Sequence, residues 1–154
     1  MLFVHESVIP APVARVFAFH EHPDALRLLT PPWERVEIIQ PPTSLQPGTR
    51  VILRVHLGPF SQLLESEHTL YEKDVLFQDR QLRGPFAHFV HTHRFLEASG
   101  GHTLLRDEVD YALPLGALGA TLGGRMVRRR LERMFAFRHD ATRAGWMGAD
   151  AELR

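Results

Sequence analysis

A chain of 154 residues folds as one domain and buries a core without staples. Lys+Arg and Asp+Glu are both 18, and zero net charge argues against a general nucleic-acid binder, which carries a basic excess for phosphates. The absence of cysteine excludes a disulfide framework, thiolate catalysis and Cys-ligated metal, and leaves Schiff-base chemistry to Lys73, the one lysine.

The first segment, residues 2–9, reads as a strand ending at Pro10. Pro12 suits a first helical turn, and Val13, Val16 and Phe17 recur at helical spacing, which predicts a short helix over about 12–20. His22-Pro23-Asp24 breaks it, residues 25–29 form a second short helical piece, and the prolines of Thr30-Pro31-Pro32-Trp33 impose extended backbone. Strands follow over 36–40, 49–57, 60–71, 75–83, 86–97 and 102–113. The turns between them are marked by Pro47-Gly48, Gly58-Pro59, Glu72-Lys73-Asp74, Gly84-Pro85 and Ser99-Gly100-Gly101. Leu118, Leu122, Met126, Leu131, Met134, Phe135 and Ala141 then mark one stripe of a helix over about 117–144, with Gly145 as its C-cap and a frayed tail beyond. No run approaches the ~18 apolar residues of a membrane span. The N-terminus lacks a basic region followed by an apolar stretch, so no signal peptide is expected. A single cytoplasmic domain over 1–154 is the expectation.

One strand, two short helices, a six-strand meander and a long terminal helix imply an α+β fold. A curved antiparallel sheet of about seven strands wraps the helix and encloses a cavity. In this order of elements the chain resembles the helix-grip superfamily of Bet v 1-type allergens, START lipid-transfer domains and polyketide cyclase/dehydratase proteins (the SRPBCC group). It is similar in particular to bacterial stand-alone members described as cyclase/dehydratase-like or lipid-transport-like. Pro31-Pro32-Trp33, Phe77-Gln78-Asp79-Arg80-Gln81, His91-Thr92-His93-Arg94-Phe95, Asp107-Glu108-Val109-Asp110-Tyr111 and Phe135-Ala136-Phe137-Arg138 carry the likeness. The resemblance implies a hydrophobic or amphipathic small-molecule ligand. Domains of this type also occur beside a nucleotide-sugar-epimerase-like domain.

Strand parity places Phe89, His91, His93 and Phe95 on one face, which two phenylalanines turn inward. Turns centred at Gly84-Pro85 and at Ser99 put Asp79 and Asp107 on either side of His91, with Leu105 opposite His93. Asp79, His91 and Asp107 are thus the candidate catalytic row, a carboxylate-oriented imidazole being a proton-transfer device. Two histidines and two carboxylates also suit zinc or iron, but the simpler reading is that the row satisfies itself and pins the register. No metal or cofactor is assigned.

Phe77, Gln81, Phe89, His93, Phe95, Val109 and Tyr111 flank the row as ligand-contact candidates. Trp33 joins them as a wall at the mouth, with Met126 and Met134 lining from the helix and Arg138 placed to hold an anionic head group. Arg125, Arg128, Arg129, Arg130 and Arg133 form a basic run suited to peripheral membrane contact, though most such faces are simply solvated. The expected partner is a hydrophobic small molecule, with no nucleic acid, in a monomer or homodimer. Binding or transport of a lipid, polyketide or aromatic compound leads. A cyclase or dehydratase moving protons at His91 is the first alternative, and an interaction module using the arginine face the second.

Overall fold

Proline sets the boundaries of the first helices. Pro12 sits at the N-cap in extended geometry, one position before the helix α1 (Val13–Glu21), and His22 stays extended because Pro23 follows it. The computed structural model describes residues 1–149. Around α1 lie β1 (Leu2–Ile9) and the one-turn α2 (Ala25–Leu28). The meander comprises β2 (Val36–Gln40), β3 (Arg50–Leu57), β4 (Phe60–Glu72), β5 (Leu76–Arg83), β6 (His88–Ala98) and β7 (His102–Ala112), and α3 (Gly116–Ala149) ends the chain. The strands form one curved antiparallel sheet in the order β1-β7-β6-β5-β4-β3-β2. This is the helix-grip architecture that the element order implies.

The β5–β6 register pairs Asp79 with His91 and Phe77 with His93, as expected. The β6–β7 register is moved: His93 faces Asp107, and His91 faces Val109. The cause is the turn. Gly100 and Gly101 both adopt positive φ (76° and 73°), so Ser99, Gly100 and Gly101 together span it and Ala98 pairs with His102. The shift is by an even number of residues, so every side chain keeps its expected face.

Two apolar clusters fill the space beneath the helices. One joins Ile9, Val16, Phe17, Phe77, Phe95 and Leu105; the other joins Phe3, Val109, Tyr111, Leu131 and Phe135. α3 packs on β1, β7 and α1. It buries Leu131, Phe135, His139 and Thr142, positions recurring at helical spacing. That face runs back through Val127, Gly124, Gly123 and Ala120, all four half-buried. Met126 is five residues before Leu131, about 140° round the helix, and is 73% exposed, as Leu122 is 77% exposed. Met126 therefore lines no interior space, and the expected single stripe splits into two. Gly145 is not a cap either: α3 continues to Ala149, and a Cβ at Gly145 would run into the Phe19 ring, so glycine here admits α1. The tail expected to fray lies partly beyond the described residues. Among those described, no helix is long and apolar enough to cross a membrane.

Candidate functional site

The histidine–carboxylate row sits on the concave face where β5, β6 and β7 meet α3. Asp107 is its centre, 3% exposed. His91 Nε2 lies 2.8 Å from Asp107 Oδ1, and His139 Nε2 of α3 lies 2.6 Å from Oδ2. His93 Nδ1 is also 2.8 Å from Oδ1, but off the line of a good hydrogen bond. An ionised carboxylate only accepts, so Nε2 of His91 and Nε2 of His139 carry their protons toward Asp107. Ser7 Oγ then donates to Nδ1 of His139. His91 Nδ1, left with a lone pair, and His93 Nε2 face Asp79 Oδ2 at 3.7 and 3.9 Å. His68 stands opposite Asp79 across the β4–β5 ladder, with its Nδ1 buried and unpartnered.

Protonation follows from this layout. Burial alone would raise the Asp107 carboxyl, but His93 and the hydrogen bonds from the surrounding imidazoles outweigh it and hold it well below its ordinary value. Burial lowers His93 to about 4, helped by neighbouring His91 and opposed by Asp107. Burial also lowers His91, against its bond to Asp107. Asp79 is pushed the other way: desolvation raises its carboxyl, with His93, His68 and Arg138 opposing. At neutral pH the row holds an ionised Asp107 beside the neutral imidazoles of His91 and His93. Asp79 is its accessible end, its side chain 20% exposed against 4% for His91.

Other candidate residues are scattered more widely. Phe77 stacks on His93 with centroids 4.0 Å apart, and Phe77, Phe95, Val109 and Tyr111 are packed core side chains rather than walls of an enclosed hollow. Met134 and Phe89 are half-buried against the second cluster. The Gln81 amide is committed to the backbone of Phe86 at both ends, closing the β5–β6 turn. Arg138 donates from Nε to the Leu29 carbonyl at 3.3 Å and lies over Phe135, its charge felt by Asp107 and Asp79.

Trp33 is 40% exposed, edge-on to Phe137 and 4.1 Å from the Arg133 guanidinium. It borders an open hollow of about 530 Å³ with Arg35, His56, Arg129 and Arg130. The basic run is partly neutralised, Arg130 by Glu34 and Arg128 by Glu132.

Four histidines that the strand pattern did not single out complete the site. His139 falls four residues after Phe135, so the buried helical face was its signal. His5 pairs with Asp107 in register and packs edge-on to His139 at 4.5 Å. His68 was concealed by a β-bulge between His68 and Leu70. His20 of α1 bonds its own helix at Val16 O and is lowered to about 4, mainly by burial and next by His93.

The row ends where a different surface begins. Strand pairing puts Val36, Ile38, Leu53, Val55 and Leu64 on the same concave face as Asp79, and all five are half-buried. They form an aliphatic floor on the β2–β4 half of the sheet, away from the strands on which α3 packs.

Solved structures share this architecture across nearly the whole chain. The protein TTHA0849 from Thermus thermophilus is 16% identical, with a TM-score of 0.74 over 97% of this chain and 99% of that one. Norcoclaurine synthase from Thalictrum flavum, solved in complex with dopamine and hydroxybenzaldehyde, is 15% identical, with a TM-score of 0.70 over 94% and 84%. The nucleoside-diphosphate sugar epimerase from Corynebacterium glutamicum is 25% identical, with a TM-score of 0.67 over 92% of this chain but 28% of that one. A search of curated proteins returned no match. The family model described as polyketide cyclase / dehydrase and lipid transport matches residues 9–135, and the chain belongs to that family.

Proposed function

We propose that the chain binds a small amphipathic organic molecule, aromatic or polyketide-like, on the half-open concave face. The observation that carries this reading is the junction described above: an aliphatic floor of Val36, Ile38, Leu53, Val55 and Leu64 running into the Asp79 end of a buried polar row. Covering such a floor contributes roughly 25 cal/mol per Å² of apolar surface removed from water, while Asp79 and His93 select the polar end. Family membership supports a ligand of this class, and norcoclaurine synthase, of the same fold, is a protein solved with aromatic molecules bound.

A second reading assigns proton transfer to the same end, as in a cyclase or dehydratase. Its support is the contrast within the row. Desolvation raises the proton affinity of Asp79, and Nδ1 of His91 beside it holds a lone pair able to accept. His91 would take a proton from the substrate carbon, and Asp79 would protonate the departing hydroxyl.

The test is titration with 1-naphthol and with anilinonaphthalene sulfonate, followed by fluorescence. Leu53→Arg and Leu64→Arg should weaken binding by about tenfold or more, since each puts a charge on the floor. Ile39→Arg, on an exposed neighbouring position, should leave it unchanged. Equal binding by all of these variants would remove the concave face as the binding site.

A further inference from the structure

We propose that Asp79, His91 and His93 form a binding site for a divalent first-row transition metal, zinc or ferrous iron by donor type, with Asp107 orienting His91 from behind. One donor atom from each of the three residues lies within 4.8 Å of the other two, and Asp79 Oδ2 faces both His91 Nδ1 and His93 Nε2. Metal bonds of about 2.1 Å bring neighbouring donors to roughly 3.0–3.4 Å. The gaps of 3.7 and 3.9 Å to Asp79 are wider by less than an ångström, a small rotation of one carboxylate.

Convergence alone is weak evidence; the His91 tautomer makes it specific. Nε2 of His91 donates to Asp107, so its opposite nitrogen, Nδ1, presents a lone pair. That lone pair faces Asp79 Oδ2 at 3.7 Å, and His93 Nε2 stands 3.9 Å from the same oxygen. Electron-pair donors facing one another are held by a proton or by a metal cation between them, and three donors converging on one point suit the cation. Asp107 has the place of a carboxylate behind metal-bound imidazoles, accepting the His91 N–H and fixing that ring, with His93 Nδ1 2.8 Å from the same oxygen. His139 and Ser7 hold Asp107 in turn. His68, across from Asp79 with Nδ1 buried and unpartnered, is a polar group at the same place that the protein alone does not satisfy.

Charge and access agree. Once Asp79 gives up its proton to bind metal, Asp79 and Asp107 against the Arg138 guanidinium leave one net negative charge for a dication. Two imidazoles and one carboxylate leave coordination positions vacant, the pattern of sites that take a substrate oxygen as a further ligand. The site lies at the accessible end of the row.

The metal site does not depend on the organic ligand proposed above. Metal is titrated with no organic ligand present, and probe binding is read in chelator, so either can fail alone. Chelator-treated protein is titrated calorimetrically with Zn²⁺, and with Co²⁺ followed by visible absorption. One equivalent is expected, with cobalt d–d bands and a rise in melting temperature. Asp79→Asn, nearly isosteric and partly exposed, should weaken the affinity by about 100-fold or more, and Asp107→Asn by about tenfold or more. His93→Gln serves where circular dichroism shows Asp79→Asn unfolded. Removing exterior imidazoles in His22→Ala and His102→Ala should change nothing. Wild-type affinity no tighter than that of the folded ligand variant, or no cobalt bands at millimolar metal, would overturn the site.

Discussion

His139 on α3 and Asp107 on β7 meet at 2.6 Å, 32 residues apart, and both are almost wholly buried. The contact fastens the long helix to the sheet through a polar group in a core made chiefly of Phe3, Leu131 and Phe135. Asp107 also serves His91, so its loss strands several imidazole N–H groups in the interior. Asp107→Ala should therefore destabilise the fold by about 3–5 kcal/mol. Ser7→Ala, which removes one bond at the periphery of the network, should cost about 1 kcal/mol. Urea unfolding of the two variants checks this. Similar midpoints would mean that Asp107 does not organise the network.

Acid should weaken the metal-free protein well above the pH at which its carboxylates titrate. His20 and His93 sit at about 4 in the folded chain against 6.5 when free, so between those values the unfolded chain binds more protons. Their contribution to stability is whole above the free value and is lost as pH falls toward 4. His91 and His68, lowered in the same direction, add to the loss. Asp79, raised in the fold, opposes it at the lower end of the window, and Asp107, lowered, acts only below it. The urea midpoint in chelator should fall between pH about 7.5 and about 5, by a free energy on the order of a few kcal/mol. His20→Leu should flatten the slope; an unchanged midpoint across this range would contradict the burial of these imidazoles in neutral form.

The architecture was legible because each element carries its own signal. Pro10, Pro23 and the Gly-Pro turns cut the chain at positions close to those seen, and odd-numbered residues from Phe89 to Phe95 do point inward. The β6–β7 register was not legible, since whether Gly101 joins the turn or the strand depends on a backbone angle that any glycine can adopt. Residues brought in from distant elements were hidden for a different reason. His139 and His5 become site residues only once α3 lies on β1, and no local spacing encodes that contact. Phe17, Phe77 and Phe95 fill the space beside the row, and the open surface lies over the β2–β4 half, a division that strand parity does not encode.

The phase break in α3 has an energetic consequence. Phe135 is fully buried against Phe3 and His91, at centroid distances of 5.4 and 5.0 Å, whereas Met126 faces outward. Phe135→Ala should cost about 3–5 kcal/mol through lost burial and the cavity it leaves. Met126→Ala should stay within about 0.5 kcal/mol, alanine being the better helix former. Guanidinium melts of both variants measure this. A comparable loss at Met126 would mean that the outer stripe is covered in the folded protein.

Two glycines on α3 should respond with opposite sign to the same substitution. A Cβ on Gly119 would overlap the Pro114 carbonyl oxygen, a backbone atom fixed by the turn into the helix. Gly119→Ala therefore has to open the first turn of α3, and it should lower stability although alanine favours helices. Gly124 has open space at its Cβ position and lies within α3, so Gly124→Ala should gain about 0.5–1 kcal/mol from the smaller backbone entropy of the unfolded chain. Thermal melts of the two variants, with helical content read at the same time by circular dichroism, separate the cases. Stabilisation by both substitutions would show that the start of α3 is free to move away from Pro114, and with it the close approach that makes glycine necessary there.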